Sequence, residues 1–286
     1  MGGALLALVA GISLNWQTIT DAYALRSFTP TPEMAQLIDS LHLTTHARAV
    51  IYRARPQIDD KAAFNRDCET RPHELELGCY YRGRIYVLRI DHPSLVPEMA
   101  VVSAHELLHA VWAEMTDAQR AALGNQLEEA YTKVETRNLQ ERMEGYAKSE
   151  PGERTNELHS ILGSEALELP AELENHYRKY FVDRSEVTTK HAIYERVFQE
   201  RRVQLEHDLS AIRDFKGQLA ILNRRMESLK SANQFAAYNA LVPTQNKMVD
   251  DINSRINAYQ RAAEEYNALA KSLDSQVISE VEAPAE

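Results

Sequence analysis

Apolar side chains in the last third of the chain recur at Leu205, Leu209, Ile212, Leu219, Leu222, Met226 and Leu229, spaced by threes and fours and their sums. A second run follows at Ile252, Ile256, Tyr259, Ala263, Tyr266, Ala270 and Leu273. Narrow seams of this period with charged flanks predict a two-helix antiparallel coiled coil over residues 186–275. The turn is expected between Ser231 and Thr244, where Pro243 stands. Two amphipathic helices packed on a globular domain would use the same residues.

The pattern upstream is mixed. A Pro-spaced stretch from Phe28 to Glu33 reads as a linker, followed by a short helix over 34–43 capped by Thr31 and Pro32. Residues 47–53 (ARAVIYR) are β-prone, and residues 79–90 predict a hairpin turning at Arg82-Gly83, with Ile85, Val87 and Arg89 on one face. From Pro97 to about residue 114 nothing breaks a helical pattern. Further helices are expected at 117–134, behind a Thr116-x-x-Gln119 capping box, at 138–148, at 153–163, and at 171–180 after the Leu169-Pro170 break. The fold class is α+β and mostly helical, with a small β-sheet. Its expected divisions are an N-terminal segment 1–20, a catalytic domain 21–185, the helical hairpin 186–275, and an acidic disordered tail 276–286.

The 42 acidic and 32 basic residues leave a net charge of −10, which argues against nucleic acid as a partner. No charge precedes Asp21, and Ala4 to Leu14 (ALLALVAGISL) is almost wholly apolar. A spanning helix needs about 20 apolar residues, so this run is short for one. It reads as a membrane anchor with Trp16 at the interface, as a signal peptide cut after Ala22-Tyr23-Ala24, or as a buried helix. The anchor is the expectation adopted, with the rest of the chain extracytoplasmic. Two cysteines, Cys68 and Cys79, fit either one disulfide or two reduced thiols, and an oxidising compartment favours the disulfide.

Candidate chemistry centres on Val101-Val-Ser-Ala-His-Glu-Leu-Leu-His-Ala-Val-Trp112, which contains His105, Glu106 and His109 as H-E-x-x-H. Residues four apart on a helix are separated by about 6 Å along the axis and roughly 40° around it, so both imidazoles point the same way and can grip one ion. Glu106 stands beside that face as a general base for a metal-activated water. Packing alone would explain an amphipathic helix. Val101, Ala104, Leu108 and Val111 already supply its core stripe, however, and a buried Glu106 is costly without a task.

A catalytic zinc needs a third protein ligand and an open fourth position. The best supplier is Asn156-Glu-Leu-His-Ser160 on the helix expected at 153–163. A hairpin, an H-E-x-x-H helix and then an Asn-Glu-x-x-Ser helix resemble the thermolysin-like gluzincin metallopeptidases. The resemblance covers roughly Tyr80 to Ser164. It implies a zincin-like domain, zinc (Zn2+) as cofactor, His105 and His109 as ligands, Glu106 as base and Glu157 as third ligand. Gluzincins often carry an Asp four residues after that Glu to orient a histidine; here the position is Ile161, so the orienting role falls elsewhere. His159 and Glu165 stay open as rival ligands. An oxyanion donor is sought among His176, Tyr177, Tyr180 and Arg184, with Tyr177 taken first.

The expected function is zinc-dependent peptide-bond hydrolysis outside the cytoplasm, by a membrane-anchored protein resembling a bacterial one. Its partners would be a peptide or protein substrate, the membrane through the N-terminal segment, and a protein partner or second copy through the coiled coil. The alternative is a structural or adaptor protein whose metal site is not catalytic, and a closed site of that kind would need a fourth protein ligand.

Overall fold

The computed structural model describes residues 16–68, 77–134, 136–149 and 151–273, and within them the protein is mostly helical with one three-stranded sheet. The chain divides into two compact units, the first ending at Tyr194 and the second beginning at Glu195. Most of the expected 1–20 segment and the whole 276–286 tail lie outside the described residues. No helix among the described residues is long and apolar enough to cross a membrane.

In the first unit, α1 (16–27) is followed by α2 (Pro32–Asp39), whose N-cap Thr31 accepts a hydrogen bond from the Met34 amide, as expected of a Thr-Pro start. Next comes α3 (Thr45–Arg53), where a strand was expected. The error is one of period. Val50 and Ile51 are β-branched, but buried Ala47, Val50, Ile51 and Ala54 fall at i, i+3, i+4 and i+7, and Thr44 caps the helix by accepting from the Ala47 amide. Tertiary burial outweighs the β propensity.

The sheet has the order β1-β3-β2, with β1 Gln57–Asp59, β2 Gly78–Tyr81 and β3 Arg84–Leu88. The predicted hairpin is present, antiparallel, with Arg82 (φ 51°) and Gly83 (φ 76°) both left-handed at the turn, which suits the right-handed twist of a two-residue connection. β1 was not anticipated and pairs in parallel with β3. Ile85 and Val87 point into the core. Arg89 does not join them, because its guanidinium pairs with Glu33 at 2.6 and 2.9 Å at the surface. Between β1 and β2, α4 (Lys61–Asp67) ends at Cys68, which is bridged to Cys79 of β2 with the Cα atoms 6.0 Å apart.

α5 (Glu98–Glu114) is the centre of the unit, packed by α2, α3, β2, β3 and α8 (Arg154–Ser164). It is buried nearly all round, as a central helix must be. Besides the terminal Glu114, the positions that stay open are His105, His109 and Ala113, a strip at i, i+4 and i+8. α6 (Asp117–Val134) starts with the expected capping box, in which the Thr116 amide donates to Gln119 Oε1 and the Gln119 amide to Thr116 Oγ1. α7 (Arg137–Ser149) and α9 (Ala171–Tyr177) fall where the sequence put them, α9 ending a turn early.

The predicted 186 boundary coincides with the start of α10 (Ser185–Ser231), although its first ten residues belong to the first unit, with Val187 and Thr188 fully buried. In the second unit α10 and α11 (Phe235–Ser272) form an antiparallel hairpin, in which Leu205 and Ile212 share a buried cluster with Tyr259, Ala263 and Tyr266. The reversal occurs at residues 232–234, with Asn233 at φ 56°. Pro243 does not make the turn and lies inside α11.

Candidate metal centre

His105 and His109 present their Nε2 atoms toward each other at 3.0 Å. Glu157, on the fourth residue of α8, brings Oε2 to 3.7 Å from His105 Nε2 and Oε1 to 3.5 Å from His109 Nε2. Metal–ligand bonds of about 2.0 to 2.1 Å in tetrahedral geometry place neighbouring ligand atoms roughly 3.3 Å apart, and the separations of the two imidazoles from each other and from the two carboxylate oxygens fall to either side of that value. Glu157 is 4% exposed and its Oε2 has no hydrogen-bond partner. A buried carboxylate oxygen left that way is costly unless a cation meets it. Among the described residues, His105, His109 and Glu157 form the group that could hold a metal ion.

One ring orientation is fixed by the residue before Glu157. Asn156 Nδ2 donates to Glu153 Oε2 at 3.0 Å, which leaves its Oδ1 as an acceptor for His109 Nδ1–H at 3.0 Å. The proton on Nδ1 leaves the lone pair of His109 on Nε2, facing His105 and Glu157. This supplies the orienting role for which Ile161 has no group; Ile161 is 2% exposed and packs in the core.

Glu106 is 5% exposed and lies under β2. The Cα of Gly78 sits so close to it that an added Cβ would be 2.9 Å from both Cγ and Oε1 of Glu106, and 2.4 Å from Val102 Cγ1. β2 is therefore laid against α5 at Glu106 itself, and only glycine permits that approach. A second glycine does the same for the ligand helix: a Cβ on Gly163 would stand 2.4 Å from Leu108 Cδ1 and 2.5 Å from Tyr177 Cε1.

The rival ligands are committed elsewhere. His159 is fully buried, faces Trp112 with ring centroids 5.2 Å apart, and is hydrogen-bonded through its Nε2 to that of His176 at 2.9 Å. Glu165 is held by Arg142 in a two-pronged pair at 2.7 and 2.8 Å, with His191 Nε2 at 3.5 Å. Burial works against its charge, but Arg142 and His191 prevail and hold the carboxyl down at about 2. Tyr177, sought as an oxyanion donor, is not brought to the cluster. It is fully buried behind α8, and its hydroxyl donates to the His159 carbonyl at 2.7 Å. Its observed work is to anchor α9 to α8. Arg184 holds Glu174 and the Ala166 carbonyl, and Tyr180 is buried at 7% exposure.

Charge within the cluster is polarised. Burial, the largest influence on both histidines, lowers the pKa of His109, whereas on His105 it is overcome by Glu157 and Glu106, which raise it. Glu157 is drawn below the ordinary carboxylate range despite its burial, by His109, His105 and Arg142. The space between the two imidazoles is thus a position for a proton or for a cation. Beside it opens a cleft of about 460 Å³ lined by Tyr80, His109, Trp112, Arg120, Glu153 and Asn156, so one ligand is reachable from solvent.

Sequence reasoning missed Asn156 as orienter, Gly78, Gly163 and Arg142. Asn156 was within reach, since it adjoins Glu157. Gly78 lies 28 residues before Glu106, and no local pattern joins the two.

No family model, curated protein or solved structure matches the chain. The case for chemistry rests on the three converging side chains, the buried carboxylate beside them and the amide that fixes one ring.

Proposed function

We propose that the chain is a zinc-dependent peptidase of the zincin type, membrane-anchored through its N-terminal segment and acting outside the cytoplasm. The observation that carries the reading is the convergence of His105, His109 and Glu157 with an ordered lone pair on His109 and an unsatisfied oxygen on Glu157. Two imidazoles and a carboxylate suit zinc, which when bound at such a centre polarises a carbonyl and makes a water acidic near neutral pH.

The protein's own groups supply the rest. Glu106 takes the proton from the attacking water on its carboxylate and returns it to the leaving nitrogen. Burial beneath β2 keeps that carboxylate in one place. β2 is an edge strand of the sheet among the described residues, so its outer side would offer backbone groups to an extended peptide, with the cleft at Tyr80 and Trp112 taking an adjacent side chain. In the second unit, the α10–α11 hairpin reads as a coiled coil suited to self-association or a protein partner.

A structural metal site in an adaptor protein is the competing function. That reading calls for a fourth protein ligand, and the best candidate, His159, has its Nε2 engaged by His176 and is not among the side chains that converge with His105, His109 and Glu157. The deciding experiment measures bound metal and cleavage of a mixed peptide library for the intact chain and for Glu106→Gln. Equal zinc in both, with cleavage confined to the intact chain, is expected. Undiminished cleavage by the variant, or no metal in either protein, would sink the proposal.

A further inference from the structure

α1 turns unlike faces inward and outward. Inward, Ala24 is 2% exposed, and Asp21 binds Arg53 at 2.7 Å and His46 at 2.8 Å. Arg53 in turn grips Glu114 at the end of α5 through two hydrogen bonds of 2.9 and 2.8 Å. Outward stand Trp16, Ile19 and Tyr23, at 69%, 60% and 74% exposure. Steps of three and four put them on one face of the helix, and the exposed Arg26 continues that face at the next step of three. A single exposed apolar side chain needs no explanation, but three aligned large ones do.

The chain itself indicates what covers them. The sequence leading into α1 is the uncharged, apolar ALLALVAGISL at positions 4–14, and the first acidic residue, Asp21, is turned inward onto Arg53 and His46. The outward face thus grades from Trp through Ile and Tyr to Arg and carries no acidic side chain. Trp and Tyr are the residues that settle at the boundary between hydrocarbon and headgroups, and Arg meets lipid phosphates.

We infer that this face seats α1 in the interfacial layer of a phospholipid bilayer, with Trp16 deepest and Arg26 among the headgroups. Seven residues carry Trp16 to Tyr23 over about 10 Å of helix axis. The interfacial layer is roughly 5 to 8 Å thick on each side of the hydrocarbon, so the helix leaves the bilayer at a slant with its stripe toward the lipid. Because α1 is bolted through Asp21, Arg53 and Glu114 to the end of α5, the bilayer plane and the metal centre of the same unit are held in a fixed relation. The inference rests on the membrane anchoring proposed above and not on the chemistry proposed for that centre, so its failure leaves the metal and peptidase reading standing.

The test uses the full chain in vesicles of phosphatidylcholine and phosphatidylglycerol carrying brominated acyl chains. Trp16 and the buried Trp112 are the two tryptophans, so Tyr23→Trp in a Trp16→Phe background moves the reporter to the far part of the stripe. Both reporters, at 16 and at 23, are expected to shift to shorter emission wavelength, to be quenched by bromolipid and to be shielded from aqueous iodide. An upstream segment inserted by itself would not shield position 23. A reporter at 23 that is open to iodide and untouched by bromolipid overturns the inference, as does a chain that stays off the vesicles. Shielding of position 23 without vesicles, accompanied by dimers in sedimentation, overturns it in favour of a second copy as the cover.

Discussion

The backbone of Gly78 rests on the side chain of Glu106, near enough that one added methyl group would lie 2.9 Å from its Oε1. Gly78→Ala should therefore act on Glu106, the proposed base, without touching His105, His109 or Glu157. Either β2 lifts or Glu106 tilts, and overpacking of this sort costs roughly 1 to 3 kcal/mol of stability. A displacement approaching 1 Å at a catalytic group costs on the order of 100-fold in rate. The expected result is near-normal zinc content with kcat reduced far more than KM is changed. Zinc loss in parallel with activity would show that the contact serves the metal instead.

The ligand assignment separates three carboxylates. Glu157→Ala is expected to lose the metal and Glu106→Gln to keep it. Glu165→Gln should also keep it, because that side chain answers to Arg142 and His191. Asn156→Ala should weaken metal affinity by about 10- to 100-fold, as loss of an orienting partner does elsewhere. Competition against a chelator measures all four, and a Glu165→Gln protein that loses its metal while Glu157→Ala keeps it would reverse the assignment.

Much of this centre could be read from the sequence, for a definite reason. His105, Glu106 and His109 are related by helix period alone, and Glu157 sits in a helix whose limits Pro and Gly positions mark out. The strand expected at 47–53 failed because Val50 and Ile51 advertise β structure locally, while the spacing of Ala47, Val50, Ile51 and Ala54 is helical. Tyr177 was sought as a donor because it lies on an aromatic helix, and aromatic faces more often pack than react. What stayed hidden were relations across the fold. Gly78 to Glu106 and Asn156 to His109 join segments whose registers are set by sheet and helix packing, not by local pattern.

Acid should find a weak point at His176. Burial, chiefly, lowers its pKa from 6.5 in the unfolded chain to about 4. Between those values the unfolded chain binds a proton that the folded protein refuses, so stability falls as the pH drops from about 6.5 and levels off below about 4. The full loss attributable to this group is about 3 kcal/mol, from 1.36 kcal/mol per unit. Urea unfolding from pH 7 to 4 should show the slope, and His176→Gln should make it shallower, with buried His159, whose pKa is also held well below the ordinary imidazole value, supplying part of what remains. An unchanged slope in the variant would assign the acid sensitivity to other groups.

The bridge from Cys68 to Cys79 closes a loop whose loss should cost about 2 to 3 kcal/mol on a chain-entropy estimate. Replacing both cysteines by serine should lower the unfolding free energy from urea titration by that amount. It should also lower activity, since Cys79 adjoins Gly78 and fixes the strand that covers Glu106. A variant as active as the parent would confine the bridge to stability.

Asn156 and Glu157 are consecutive residues, one orienting a ring and the other offering an oxygen to the same ion site. A slip of α8 by a single residue turns it by about 100° and removes both contributions together. The centre is therefore nearly all-or-none with respect to helix register, assembled whole or absent. It is also portable: two helices crossing closely where Gly163 meets Leu108 carry His105, Glu106, His109, Asn156 and Glu157, so a scaffold reproducing that one crossing would inherit the group.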